Sequence, residues 1–177
     1  MQFATKDLLA KVAQEKALLP FHGFLADKES NLQPILSLFP KWNIIDADGM
    51  WCAAFVYYCC ITAGFQIPYS PDECVSCSLA GCGGWEDFAL GDSRIAYYLP
   101  QDPLFVPAKG DIILYDRVFL DSEHDHMGII IENKPLTLVV AEGNTLNGNI
   151  SGILERNKDD HIRAYIRLPE FFSYYAQ

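Results

Sequence analysis

Hydrolysis of an amide through a covalent thioester needs a thiol, an imidazole and a group that orients the imidazole, and the chain offers all three in order. Cys52 stands in DGMWCAAFV, His126 in EHDHMGIII, and Glu142 with Asn144 in AEGNT. A thiol attacks only as thiolate. The first turn of a helix favours that charge, because its unpaired backbone N–H groups and the helix dipole stabilise an anion. The same N–H groups can hold a tetrahedral oxyanion. Cys52, Phe55, Val56, Cys59, Cys60 and Ala63 follow the i, i+3, i+4, i+7 spacing of a buried helical face. This spacing puts Cys52 in the first turn of a helix, with Asp48 expected as its N-cap and Gly64 as its stop.

The base must come from elsewhere in the chain. Of the four histidines, His22 follows a helix stop and His161 follows the charged run RNKDD, so both read as surface residues. His124 and His126 adjoin the strand-like run MGIIIE. The following run TLVVAE makes a hairpin with it. A loop of Asn133, Lys134 and Pro135 would pair Glu132 with Leu136 and set His126 opposite Glu142. Opposed residues of an antiparallel pair share a face, so Glu142 is expected to orient the imidazole, with Asn144 a diagonal neighbour opposite His124. A slip of one residue would send both to the other face.

The elements that position these groups change character along the chain. Thr5 to Leu19 carries an amphipathic pattern that Pro20 and Gly23 end, and Asn31 to Phe39 predicts a second short helix before Pro40. Residues 68–107 are rich in turn-formers and read as an irregular insertion anchored by Trp85, with a short helix around Pro71 to Leu79. After Pro107 come five short β-branched runs, DIILY, MGIIIE, TLVVAE, ISGILE and IRAYIRL. Helices first and strands second is the α+β pattern, an antiparallel sheet of about five or six strands packed on helices. At 177 residues a single domain is expected over 1–177: a helical part at 1–45, the chemistry-bearing blocks at 46–145 and closing strands at 146–177.

Composition narrows the partners. The formal charge of −10 argues against nucleic-acid binding, which needs clustered Lys and Arg. No stretch has the length and apolarity of a membrane span or signal peptide, so the expected location is the cytoplasm, or outside it by a route without an N-terminal signal. The six cysteines are expected as free thiols. Cys74, Cys77 and Cys82 form C-x2-C-x4-C, but no fourth zinc ligand is evident. Glu123 to His126 reads as loop acids beside a base rather than a metal cluster. Asp46 and Asp48 are too few oxygens for calcium. Neither metal nor cofactor is expected. Among the aromatic residues, Trp51 and Trp85 are the candidates for a substrate groove.

In order and spacing, the blocks WCAAFV, PAKGDIILY, HMGIII and AEGNT resemble the CHAP domains (cysteine, histidine-dependent amidohydrolases/peptidases) of the NlpC/P60 superfamily of papain-like thiol hydrolases. The resemblance covers roughly Asp46 to Thr145. It implies a papain-like fold, cleavage of amide bonds in peptidoglycan, Cys52 as nucleophile, His126 as base, and Glu142 and Asn144 at the acidic and amide positions. The residue before the nucleophile is often Gln in such proteins; here Trp51 offers only an indole N–H, so the second oxyanion donor has no candidate in the sequence. Two alternatives stay open: a papain-like hydrolase of an intracellular peptide or amide, and a non-catalytic cysteine-rich metal or binding module.

Overall fold

A computed structural model describes residues 4–69 and 78–176. Among these the chain is α+β, with five helices and one six-stranded antiparallel sheet. The helices are α1 (Lys6–Leu18), α2 (Gln33–Leu36), α3 (Ile44–Ala47), α4 (Cys52–Thr62) and α5 (Cys82–Gly91). The strands are β1 (Ala96–Tyr98), β2 (Ile112–Tyr115), β3 (His126–Asn133), β4 (Thr137–Glu142), β5 (Gly152–Asn157) and β6 (Ile162–Arg167). They lie in the order β1-β6-β2-β3-β4-β5. No described helix is long and apolar enough to cross a membrane.

Local chemistry sets most boundaries. Thr5 caps α1 by accepting from the Leu8 amide at 3.2 Å. The second helix is only four residues long, shorter than Asn31 to Phe39. Helix α4 is apolar around its whole circumference and is buried from Cys52 to Tyr57 and again at Cys59 and Cys60, as befits a central helix. It stops at Gly64, whose φ of +93° suits a residue without Cβ. The Gly64 amide donates to Ile61 O and the Phe65 amide to Cys60 O, each at 3.0 Å, which closes a Schellman motif.

Three expectations need correction. Asp48 does not cap α4: it ends α3, the chain turns at Gly49 (φ +71°), and Trp51 takes the N-cap position without a side-chain capping bond. The carboxylate of Asp48 instead accepts from the Phe24 amide and from Asn149 Nδ2. The segment 68–107 is not wholly irregular, since it holds α5 and β1; Gly81, Gly83, Gly84 and Gly91 hid that helix from a propensity reading. The helix expected around Pro71 to Leu79 lies almost entirely outside the described residues. Finally, the β3–β4 hairpin is offset from the expected register. Asn133 pairs with Leu138, Ile131 is bulged out, and beyond it Ile130 faces Val140 and Ile129 faces Ala141.

The sheet separates two apolar clusters. Ile112, Leu114, Met127, Ile129 and Ala141 join α1 and α4 in the main core. Ile113, Tyr115, Ile130, Leu138, Val140 and Tyr165 form a smaller one on the opposite face. Alternation along β3 therefore assigns His126 to the smaller cluster's side, where its ring stacks 6.1 Å from Tyr115, its partner across the β2–β3 pair.

Candidate active site

Cys52 is the first residue of α4 and 8% exposed, at the floor of a cleft of about 790 Å³. No side chain caps this helix, and the Ala53 N–H is directed at the Cys52 sulfur. The thiol lies well below its usual range. The largest cause is a hydrogen bond from Cys82, whose sulfur is 3.7 Å away; burial opposes it, and His126 and the Ala53 amide reinforce it. Cys59 and Cys60, deeper in the core on the same helix, are pushed up by burial. One helix thus carries one thiol shifted down and two shifted up.

His126 is fully buried, with Nε2 2.9 Å from Glu142 Oε2 in a contact bent from a straight hydrogen bond. Cys52 and Glu142 are the two groups that act on the imidazole. Burial alone would lower the imidazole, but the Cys52 thiolate and the Glu142 carboxylate outweigh it and raise it to about 9. Burial would likewise raise Glu142; Arg156 and His126 more than offset this and hold it below the carboxylate norm. The directions of these three shifts favour a thiolate at Cys52, an imidazolium at His126 and a carboxylate at Glu142.

Two glycines make this arrangement physically possible. The even pairing sum keeps Glu142 on the face of His126, but the residue directly opposite Glu142 in the continued register is Gly128, so the His126–Glu142 contact is diagonal and not across the rung as expected. A Cβ on Gly128 would stand 2.5 Å from Val140 Cγ1 and 3.0 Å from Glu142 Cγ. At Gly143 a Cβ would lie 2.6 Å from Phe55 Cβ and 2.9 Å from the Trp51 ring, so only glycine lets the end of β4 pass against the start of α4.

Asn144 does not orient the imidazole. The strand ends at Glu142, Asn144 turns into the left-handed region (φ +51°), and its Nδ2 donates to Gly49 O at 2.7 Å and to Asn147 Oδ1 at 3.1 Å. Its Oδ1 accepts from the Asn149 amide. Asn149 in turn accepts from the Gly49 amide and from Trp51 Nε1, and donates to Phe24 O and Asp48. The pair Asn144 and Asn149 thereby pins the loop that delivers Cys52.

Trp51 and Trp85 do not line the cleft. Both are fully buried, the indole of Trp51 being held by Asn149 and that of Trp85 by Leu79 O at 3.0 Å. Their size explains the placement: each buries a large apolar surface and finds one acceptor for its N–H. The aromatic lining comes from Phe39, Trp42, Tyr69 and Phe119 instead. His124 is not on the strand: it sits at φ +55° in the preceding turn, with Nε2 2.6 Å from Glu86 Oε2. Asp125 accepts from the amides of Val118, Phe119 and Leu120, fixing the loop whose Phe119 ring packs edge-on against His126 at 4.8 Å.

Sequence reasoning missed Arg156, Asn149 and Cys82. Arg156 holds both carboxylate oxygens of Glu142, with Nη2 2.8 Å from Oε2 and Nε against Oε1, and its guanidinium lies over the Tyr115 ring at 5.2 Å. Its alternation within ISGILERN was the one available signal: an arginine on a half-buried strand requires a carboxylate nearby. Cys74 and Cys77 lie outside the described residues. Compared with known protein families and with curated proteins, the chain matches none.

Proposed function

We propose that this chain is a thiol hydrolase of amide bonds, a papain-like enzyme of the CHAP type within the NlpC/P60 superfamily, acting on peptidoglycan as an amidase or endopeptidase. The observation that carries the reading is the buried line from Cys52 through His126 to Glu142, whose nucleophile opens an uncapped helix at the floor of a cleft. The four sequence blocks in family order, and the two glycines that let their ends meet, support it further.

In the mechanism, the Cys52 thiolate attacks the carbonyl carbon of the scissile amide, and the oxyanion is held by first-turn amides of α4. The imidazolium of His126 protonates the departing amine, leaving a thioester on Cys52. Neutral His126 then takes a proton from water, which attacks the thioester; collapse frees the acid and restores the ion pair. Glu142 stabilises the imidazolium, and Arg156 keeps Glu142 ionised in its buried position. The indole of Trp51, engaged by Asn149, takes no part in the oxyanion hole.

Purified peptidoglycan incubated with the protein should release fragments, and their masses identify the bond cut. Cys52→Ser should abolish release and Cys59→Ser should retain it. Equal release by the Cys52 variant would refute the assignment. Hydrolysis of soluble peptides with none of peptidoglycan would move the proposal to a non-wall substrate.

A further inference from the structure

Cys52 and Cys82 each occupy the first position of a helix, α4 and α5, and their sulfurs stand 3.7 Å apart where both residues line the cleft. Amide hydrolysis by a thiol calls for one sulfur, not two. Cys59 and Cys60, reduced like this pair, are fully buried in the core and do not line this cleft.

We propose that Cys52 and Cys82 form a peroxide-responsive dithiol, closing to a disulfide that takes the nucleophile out of action and reopening with a thiol reductant. A disulfide bond is ~2.05 Å long, so the sulfurs must approach by roughly 1.7 Å. Cys82 is flanked by Gly81 and Gly83.

The chemistry balances with a peroxide as oxidant. The Cys52 thiolate attacks one peroxide oxygen; the O–O bond breaks, the sulfur becomes a sulfenic acid, and the other oxygen leaves as alkoxide or hydroxide and takes up a proton. Cys82 then attacks the sulfenic sulfur, forming the S–S bond, and its proton leaves with the hydroxyl as water. Two thiols have lost two electrons to one peroxide. An external dithiol returns two electrons and two protons by exchange through a mixed disulfide. The lowered thiol of Cys52 makes it the attacking sulfur, and the neighbouring thiol intercepts the sulfenic acid before further, irreversible oxidation.

The proposal needs the thiolate at Cys52 but not amide cleavage, so its test reads cysteine chemistry directly. Reduced protein is treated with hydrogen peroxide, quenched with iodoacetamide and digested without reductant by chymotrypsin, which cuts between Cys52 and Cys82. Wild type should yield a peptide pair bridged Cys52 to Cys82, lost on dithiothreitol treatment with both thiols recovered. In Cys82→Ser, the same exposure should carry Cys52 to sulfinic acid that dithiothreitol does not reverse. Three results would overturn the proposal: sulfinic acid on wild-type Cys52 as fast as in Cys82→Ser, a bridge from Cys82 to some other cysteine, or a recoverable Cys52 in Cys82→Ser.

Discussion

Replacing Glu142 by glutamine removes one negative charge 2.9 Å from the imidazole and leaves its shape almost unchanged. In the native site His126 is raised from 6.5 to about 9 against the opposing effect of burial. That rise corresponds to about 3 kcal/mol in favour of the imidazolium, at ~1.4 kcal/mol per pH unit. Cys52 and Glu142 share it. Losing Glu142 withdraws its part of that effect and lowers the titration. The guanidinium of Arg156 is then no longer neutralised and repels the imidazolium as well, so the shift can only grow. The expected midpoint for His126 in Glu142→Gln is therefore clearly below the native value of about 9. The assay is an NMR titration of the imidazole C2–H signals, with thermal denaturation confirming that the variant is folded. A His126 midpoint that stays near 9 in folded Glu142→Gln would refute the reasoning.

Three further outcomes follow from the same geometry. Gly128→Ala forces a Cβ to within 2.5 Å of Val140 and 3.0 Å of Glu142, and should cost about 1–3 kcal/mol in urea denaturation while loosening the His126–Glu142 contact; wild-type stability would contradict this. Asn149→Ala leaves the buried Trp51 N–H and the Gly49 amide without their acceptor, so stability should fall by about 1–3 kcal/mol and Cys52 should be alkylated more slowly. Because the native carboxyl of Glu142 is lowered, its contribution is complete above the usual 4.5 and is lost as pH falls through the native value. The melting temperature of wild type should thus drop more steeply below pH 4.5 than that of Glu142→Gln, and parallel curves would remove Glu142 from the acid response.

What was legible in the sequence were features encoded by neighbours in the chain. Five of the six strands announce themselves as β-branched runs, and the apolar spacing of Cys52 to Ala63 marks α4. The hairpin shows how far such reasoning reaches. Its parity placed Glu142 on the face of His126, because side chains alternate with period two. Its register came out two residues away, because the bulge at Ile131 and the turn from Lys134 to Thr137, closed by one backbone bond of 3.0 Å, absorb residues that no local pattern marks. Partners drawn from separate elements were not legible. Arg156 meets Glu142 only when β5 lies beside β4, Cys82 meets Cys52 only when two helix starts converge, and Asn149 reaches Trp51 across 98 residues. The two tryptophans were misplaced for a related reason: an aromatic residue beside a nucleophile looks the same in sequence whether it faces a groove or the core.

The proposed chemistry rests on Cys52 being held as a thiolate beside the His126 imidazolium. The most direct measurement is the pH dependence of iodoacetamide labelling, followed cysteine by cysteine by mass spectrometry in the native protein. Cys52 should react at a plateau rate beginning well below the usual thiol value of 9, while Cys59 and Cys60 stay unlabelled until the protein unfolds. A Cys52 that reacts only as pH approaches 9, in step with an ordinary thiol, would show that no thiolate is held there.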